Sequence, residues 1–157
     1  MALSAGTKAP LFTLRQKTAD GMRDVSLADH AGQDVVVLLF VPGAFTHVCT
    51  GQFCDLSKGV TAIPGAVTYG VSVDSAYCQE AWGKMDGITL PMISDFTHQV
   101  TKDYDVVLES LSGMGPASKR AAFVIDREGM IVYSEETPTT LDMVNYEAIN
   151  ASVSAAK

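Results

Sequence analysis

The sequence predicts an α/β fold, a mixed central β-sheet flanked by helices on both faces. Three observations point there. The run DVVVLLFVP (34–42) is continuously apolar and β-branched, as expected of a central strand covered on both sides. A second such run, AVTYGVSVD (66–74), follows after a segment of helical length, so the two strands should pair in parallel through a right-handed crossover. AAFVIDREGMIVYSEE (121–136) reads as two strands around Asp126-Arg127-Glu128-Gly129 and supplies antiparallel partners.

The other elements follow in chain order. LFTLRQKTADGMRDVS (11–26) is two short strands about the turn Ala19-Asp20-Gly21. A helix is expected over 46–61 between the two buried strands. Ser75 to Met85 forms the next helix, with Asp74 or Ser75 as N-cap. Pro91 to Ser94 reads as a short strand and His98 to Tyr104 as a short helix. After the late hairpin, Leu141, Val144, Ala148 and Val153 stand at helical spacing, preceded by Thr139 and Thr140 as capping candidates. No linker, repeat or low-complexity segment divides the chain, and a single domain over residues 1–157 is expected. Thioredoxin-like topology fits this order best, although other α/β sandwiches share it.

Composition narrows the function classes. Of 157 residues, 47% are hydrophobic and 18% charged, a globular balance large enough to bury a real core. The net charge of -7, without a lysine or arginine cluster, argues against nucleic acid and anionic membrane as partners. The longest apolar run, Val35 to Pro42, is far too short to span a bilayer. MALSAGTKAPLF lacks a basic segment followed by an apolar stretch, so no export signal is read and a cytoplasmic location is expected. Three cysteines at irregular spacing do not resemble a secreted disulfide framework.

The stretch VPGAFTHVCTGQFC (41–54) concentrates the chemistry. Pro42-Gly43 turns the chain out of a central strand, and Cys49 falls near the start of the next helix. Sites in open α/β sheets gather at the carboxyl ends of strands. The free N–H groups and dipole of a helix N-terminus favour an anion there, and a thiolate is one. Position alone makes Cys49 a candidate nucleophile.

Pro42, Thr46 and Cys49 follow the pattern proline, three residues, threonine, two residues, cysteine, which resembles the active-site signature of the peroxiredoxins, thiol peroxidases on a thioredoxin fold. FVPGAFTHVCTGQFCDL, GVSVDSAYCQEAWGK, LPMISDF and RAAFVIDREGMIVYS stand in that family's order over most of residues 5–137. The resemblance implies that Cys49 is the peroxidatic cysteine, attacking one peroxide oxygen and becoming a sulfenic acid. Thr46 would offer its hydroxyl to thiolate and peroxide. Arg120, in SKRAAFVID, would stabilise the thiolate and the leaving oxygen, and Pro42 would shield the sulfur. Gln52 matches a position often held by glutamate or glutamine and would supply a supporting hydrogen bond. Hydrogen peroxide and small organic hydroperoxides are the implied substrates, and thioredoxin or a similar thiol the implied reductant. The chemistry needs an anion, aligned donors and a fixed cation, with neither metal nor organic cofactor.

The resolving step stays open. The Cys49–Cys54 spacing resembles the bacterioferritin-comigratory-protein branch, in which the later cysteine can attack the sulfenic acid. Five residues of intact helix advance about 7.5 Å and turn about 140° past a full circle. A disulfide needs Cα atoms within about 7 Å, so the first turns would have to unwind, and Gly51 would ease that. Cys78, in the next helix, competes for the role. Either thiol could instead be an inert core residue. FVPGAFTHVCT also resembles the one-cysteine alkyl hydroperoxide reductase E group, which would draw on an external thiol. A sensor using the same oxidation to change shape is a further alternative. AINASVSAAK holds no cysteine, which speaks against the inter-subunit disulfide of typical two-cysteine enzymes; monomer and homodimer both stay open.

Other features carry less. His30, His47 and His98 lack ligand spacing with any cysteine, and a lone C-x4-C pair makes a weak zinc site. There is no C-x-x-C. Trp82 reads as a core or pocket-wall residue, with Phe45 beside it at the mouth of the site or at a subunit contact. Gly113 to Pro116 reads as a flexible loop near Arg120.

Overall fold

The computed structural model, which describes residues 1–157, contains nine strands and four α-helices, the expected elements in their expected order with one additional strand pair. β1 (Thr13–Thr18) and β2 (Gly21–Ser26) form the first hairpin. β3 (Val36–Phe40), α1 (His47–Ser57), β4 (Val67–Ser72), α2 (Ala76–Asp86) and β5 (Met92–Ser94) make two successive parallel crossovers. α3 (Gln99–Asp103) leads to a small antiparallel pair, β6 (Val107–Leu108) with β7 (Ala117–Ser118). β8 (Ala121–Ile125), β9 (Ile131–Glu136) and α4 (Tyr146–Ala155) complete the chain. The main sheet has seven strands in the order β2-β1-β5-β4-β3-β8-β9, parallel at its centre and antiparallel toward both edges.

β3 is buried along its whole length because successive side chains serve opposite cores. Val35, Val37, Leu39 and Val41 join Phe53 of α1, Trp82 of α2 and Ile149 of α4 on one face. Val36, Leu38 and Phe40 join Phe123, Val100 and Tyr104 on the other, beneath α3. Each large side chain fully buried this way contributes about 1.5–3 kcal/mol. The mixed sheet with helices on both faces is therefore as predicted, with three helices on one side and one short helix on the other.

The Phe53 ring of α1 seats on β4 at Gly70. A Cβ on Gly70 would stand 2.7 Å from two ring atoms of Phe53, so only glycine lets that ring seat against the strand. This contact sets the height of α1, and of Cys49, above the sheet.

Several boundaries differ from expectation. The helix predicted over 46–61 ends at Ser57, because Gly59 takes a left-handed φ of 75° and the Val60 N–H closes back on the Asp55 carbonyl at 2.9 Å. The final helix starts at Tyr146, capped by the Asn145 carboxamide, which accepts from the Ala148 N–H at 3.0 Å; Thr139 and Thr140 do not cap it. Asp142 instead accepts from the Thr139 N–H and hydroxyl at 2.9 and 2.8 Å and holds a turn there, leaving Leu141 exposed. The helical spacing of Leu141 and Val144 is thus a coincidence of sequence. The β6–β7 pair and a 3₁₀ turn at Leu27–His30 carried no signal strong enough to be read. No helix is long and apolar enough to cross a membrane.

Candidate active site

The loop between β3 and α1 is tied down from three sides. The Val41 N–H donates to the Val71 carbonyl at 2.9 Å, extending the β3–β4 ladder to the brink of the turn. The Ala44 N–H donates to the Asp74 carboxylate at 2.8 Å. The Thr46 hydroxyl donates back to the Gly43 carbonyl at 2.7 Å. Pro42 and Gly43 are buried as a result, and Phe45, half exposed, is forced to a left-handed φ of 63°. A bulky residue in that region is strained by roughly 1–2 kcal/mol. Thr46 is the N-cap residue by backbone, extended and accepting from the Thr50 N–H at 2.9 Å, but its side chain caps nothing. α1 therefore begins with its free N–H groups unoccupied by a side chain.

Cys49, the third residue of α1, keeps only 1% of its surface exposed. Arg120, at the entry to β8, is equally buried at 1%. Its Nη2 donates to Cys49 Sγ at 3.2 Å and to the Thr140 carbonyl at 2.9 Å. Nε reaches the same carbonyl at 3.3 Å, and Nη1 donates to Gln52 Oε1. No carboxylate lies within 4.0 Å of this guanidinium. A buried charge normally requires a counter-charge, because desolvation costs several kcal/mol per ion. Among the groups Arg120 touches, Cys49 is the only one able to become an anion.

The other thiols stand apart, and all three cysteines are free. Cys54 lies on the same unbroken helix as Cys49, and its thiol donates to the Asp86 carbonyl at the end of α2 at 3.4 Å. Cys78 is half-buried in the first turn of α2, where burial, and then the charge of Asp74, push its thiol up from the ordinary value. Trp82 Nε1 donates to Thr50 Oγ1 at 3.1 Å, and its ring packs on Phe53 and Phe45 with centroids 5.5 and 6.3 Å away. α2 thereby clamps the first turns of α1.

The AhpC/TSA family profile matches residues 5–134. The chain belongs to this family, the peroxiredoxins. It is 31% identical over 140 residues to a thioredoxin peroxidase of Echinococcus granulosus, covering 83% of this chain and 70% of that protein. It is 30% identical to alkyl hydroperoxide reductase E of Mycobacterium bovis, covering 85% of each. The structure resembles reduced Prx3 of Vibrio vulnificus, solved in complex with hydrogen peroxide, with a TM-score of 0.80 and 28% identity over 96% of this chain and 99% of that one. The fold is thus thioredoxin-like, and the protein is a thiol-dependent peroxidase.

Of the peroxiredoxin residues predicted from sequence, Cys49, Gln52 and Arg120 meet directly. Pro42 and Thr46 hold the loop in front of them. Cys54 and Cys78 make no hydrogen bond to any of these side chains, the Cys54 thiol donating to Asp86 instead. His30 is engaged with Asp34 and Tyr69, at 2.8 and 3.0 Å. No three His, Cys, Asp or Glu side chains converge as a metal site. Sequence reasoning missed the Thr140 carbonyl, which a sequence cannot flag because any residue supplies one. It read Asp74 only as a helix-cap candidate, whereas its carboxylate holds the Ala44 N–H; its position two residues after β4 was a usable signal.

Proposed function

We propose that the Cys49 thiolate attacks the distal oxygen of hydrogen peroxide or a small organic hydroperoxide. The S–O bond forms as O–O breaks, the electron pair leaves on the alkoxide or hydroxide, and a proton from solvent completes the alcohol or water. Cys49 is left as a sulfenic acid. The observation that carries this reading is the buried Arg120, whose one ionisable hydrogen-bond partner is Cys49 at 3.2 Å. A cation fixed there balances the charge on sulfur and stays within reach as that charge passes to the leaving oxygen. Thr46, hinged on the Gly43 carbonyl, would align the peroxide, and Pro42 would keep bulk water from the sulfur. The near-complete burial of Cys49 favours small peroxides.

Resolution is assigned to Cys54, with Cys78 as its competitor, followed by reduction by thioredoxin or a similar dithiol in a reducing cytoplasm. α1 must unwind for Cys54 to reach Cys49, which breaks the Thr50–Trp82 hydrogen bond; the uncapped N-terminus of α1 and Gly51 lower that cost. A second reading rests on the intact helix, which turns Cys54 toward the Asp86 carbonyl and away from Cys49. On that reading an external thiol reduces the sulfenic acid directly. Mass spectrometry after one equivalent of peroxide tests both. A loss of two hydrogens mapped to Cys49–Cys54 or Cys49–Cys78 identifies the resolver, and a lasting sulfenic acid on Cys49 selects the external thiol. An unmodified Cys49 with peroxide unconsumed would refute the whole reading.

A further inference from the structure

Beyond Arg120, three buried polar atoms converge without ordinary partners: Gln52 Nε2, Thr61 Oγ1 and the Tyr146 hydroxyl. None makes a hydrogen bond of ordinary geometry, yet the Tyr146 hydroxyl faces both Gln52 and Thr61 and interacts with each. They come from three places in the chain, namely α1, the turn after it and the first residue of α4. Leaving three such atoms unsatisfied would cost about 1–3 kcal/mol each, and a small side-chain rotation that lets them serve one another would recover that cost. Burial, only partly offset by Gln52, Arg120 and Thr61, pushes the Tyr146 hydroxyl up to about 12, so it remains a neutral donor and acceptor.

Arg120 fixes the donor sense at one end. Arg120 has no acceptor, so Gln52 must present its carbonyl oxygen to Nη1. Its amide nitrogen then points away, toward the Tyr146 oxygen, which the Thr61 hydroxyl also faces as a donor. The same C-terminal stretch already holds the other side of the guanidinium through the Thr140 carbonyl at 2.9 Å. Both Thr140 and Tyr146 lie outside residues 5–134, the span matched to the family.

We propose that Tyr146 is a positioning residue for the peroxidase reaction, orienting the Gln52 carboxamide that orients Arg120 against Cys49. The inference rests on Cys49 being the peroxide-reactive thiol. Tyr146 touches no reacting atom. It acts by removing the freedom of the Gln52 amide to turn, and so holds the guanidinium that donates to the Cys49 sulfur. The charged groups around Tyr146 are Arg120 and Asp55, and neither is removed by the test.

The test uses Tyr146→Phe, which keeps the ring and deletes the oxygen, in the full chain with Cys54 and Cys78 replaced by serine. Two quantities are read: the pH midpoint of Cys49 ionisation, from thiolate absorbance without peroxide, and the rate of its reaction with hydrogen peroxide. Tyr146→Phe should slow the reaction about fivefold, the effect of one ordinary hydrogen bond, and move the midpoint to higher pH. In a Gln52→Met background the same change should add nothing to either. Thermal melts confirm that each variant is folded, and Thr61→Val supplies a milder second lesion at the far end of the chain. Unchanged midpoint and rate in folded Tyr146→Phe would overturn the proposal, as would equal effects with and without Gln52. A parent protein inert to peroxide would instead sink the assignment of Cys49, while the titration still reports on the relay.

Discussion

Replacing Arg120 with methionine removes the cation and nearly preserves the volume. Its Nη2 stands 3.2 Å from Cys49 Sγ, with both groups 1% exposed, so solvent screens the pair little. At an effective dielectric of about 20, unit charges at that separation attract by roughly 5 kcal/mol. Part of this is already present before reaction, and only the share retained by the leaving oxygen lowers the barrier. A loss of about 3–4 kcal/mol is therefore expected, which is roughly 10²–10³ in rate. Folding should survive. The Gln52 and Thr140 acceptors lose their donor at about 1–3 kcal/mol each, but a desolvated cation without a carboxylate partner also disappears. Trp82 is the sole tryptophan and bonds to Thr50, one residue beyond Cys49, so its fluorescence in rapid mixing with excess peroxide reads the reaction locally. A folded Arg120→Met protein reacting within tenfold of the parent would show that Arg120 is a structural tether and that the charge argument is wrong.

Thr46→Val deletes the hydroxyl that donates to Gly43 at 2.7 Å and should slow peroxide reduction about 10²-fold, whereas Thr46→Ser should stay within a few-fold; equal rates for the two, measured by peroxide consumption, would contradict a role for the hydroxyl. Gly70→Ala places a Cβ 2.7 Å from the Phe53 ring and should lower stability by about 1–3 kcal/mol in urea denaturation, with Cys49 displaced and slower to react. Partial burial pushes the Glu136 carboxyl up, but hydrogen bonds from Lys119 at 2.7 Å and the Ala2 N–H at 2.9 Å outweigh it and leave it below its ordinary value. Its contribution is thus present above the ordinary carboxylate range, near pH 4.3, and is lost as pH falls through the folded value. Glu136→Gln should flatten the acid limb of the stability–pH curve and leave its neutral-pH slope unchanged; an unaltered acid limb would refute this.

Much of this was legible in the chain. The two buried strands announced themselves because a run without polar breaks has no solvated face, and that property is local. Cys49 was legible because a strand end, a proline turn and a helix start are all written in neighbouring residues. The helix over 46–61 was overrun by four residues because Gly59 acts only through a conformation it is free, but not compelled, to take. The C-terminal helix was misplaced for a related reason: Asn145 and Thr139 are both good caps, and Asp142 decides between them by occupying Thr139.

The sequence alone determined the order of the main elements, the alternation that splits β3 between two cores, and the presence of a thiol at a strand–helix junction. All of these depend on residues within a few positions of one another. Only the tertiary structure decided that Arg120, 71 residues from Cys49, would be sealed beside it with no carboxylate to neutralise it, and that Gln52, Thr61 and Tyr146 would share one buried pocket of unmet hydrogen bonds. Such pairings depend on how strands and helices stack, and an electrostatic field inside a core comes from neighbours in space, whatever their distance along the chain.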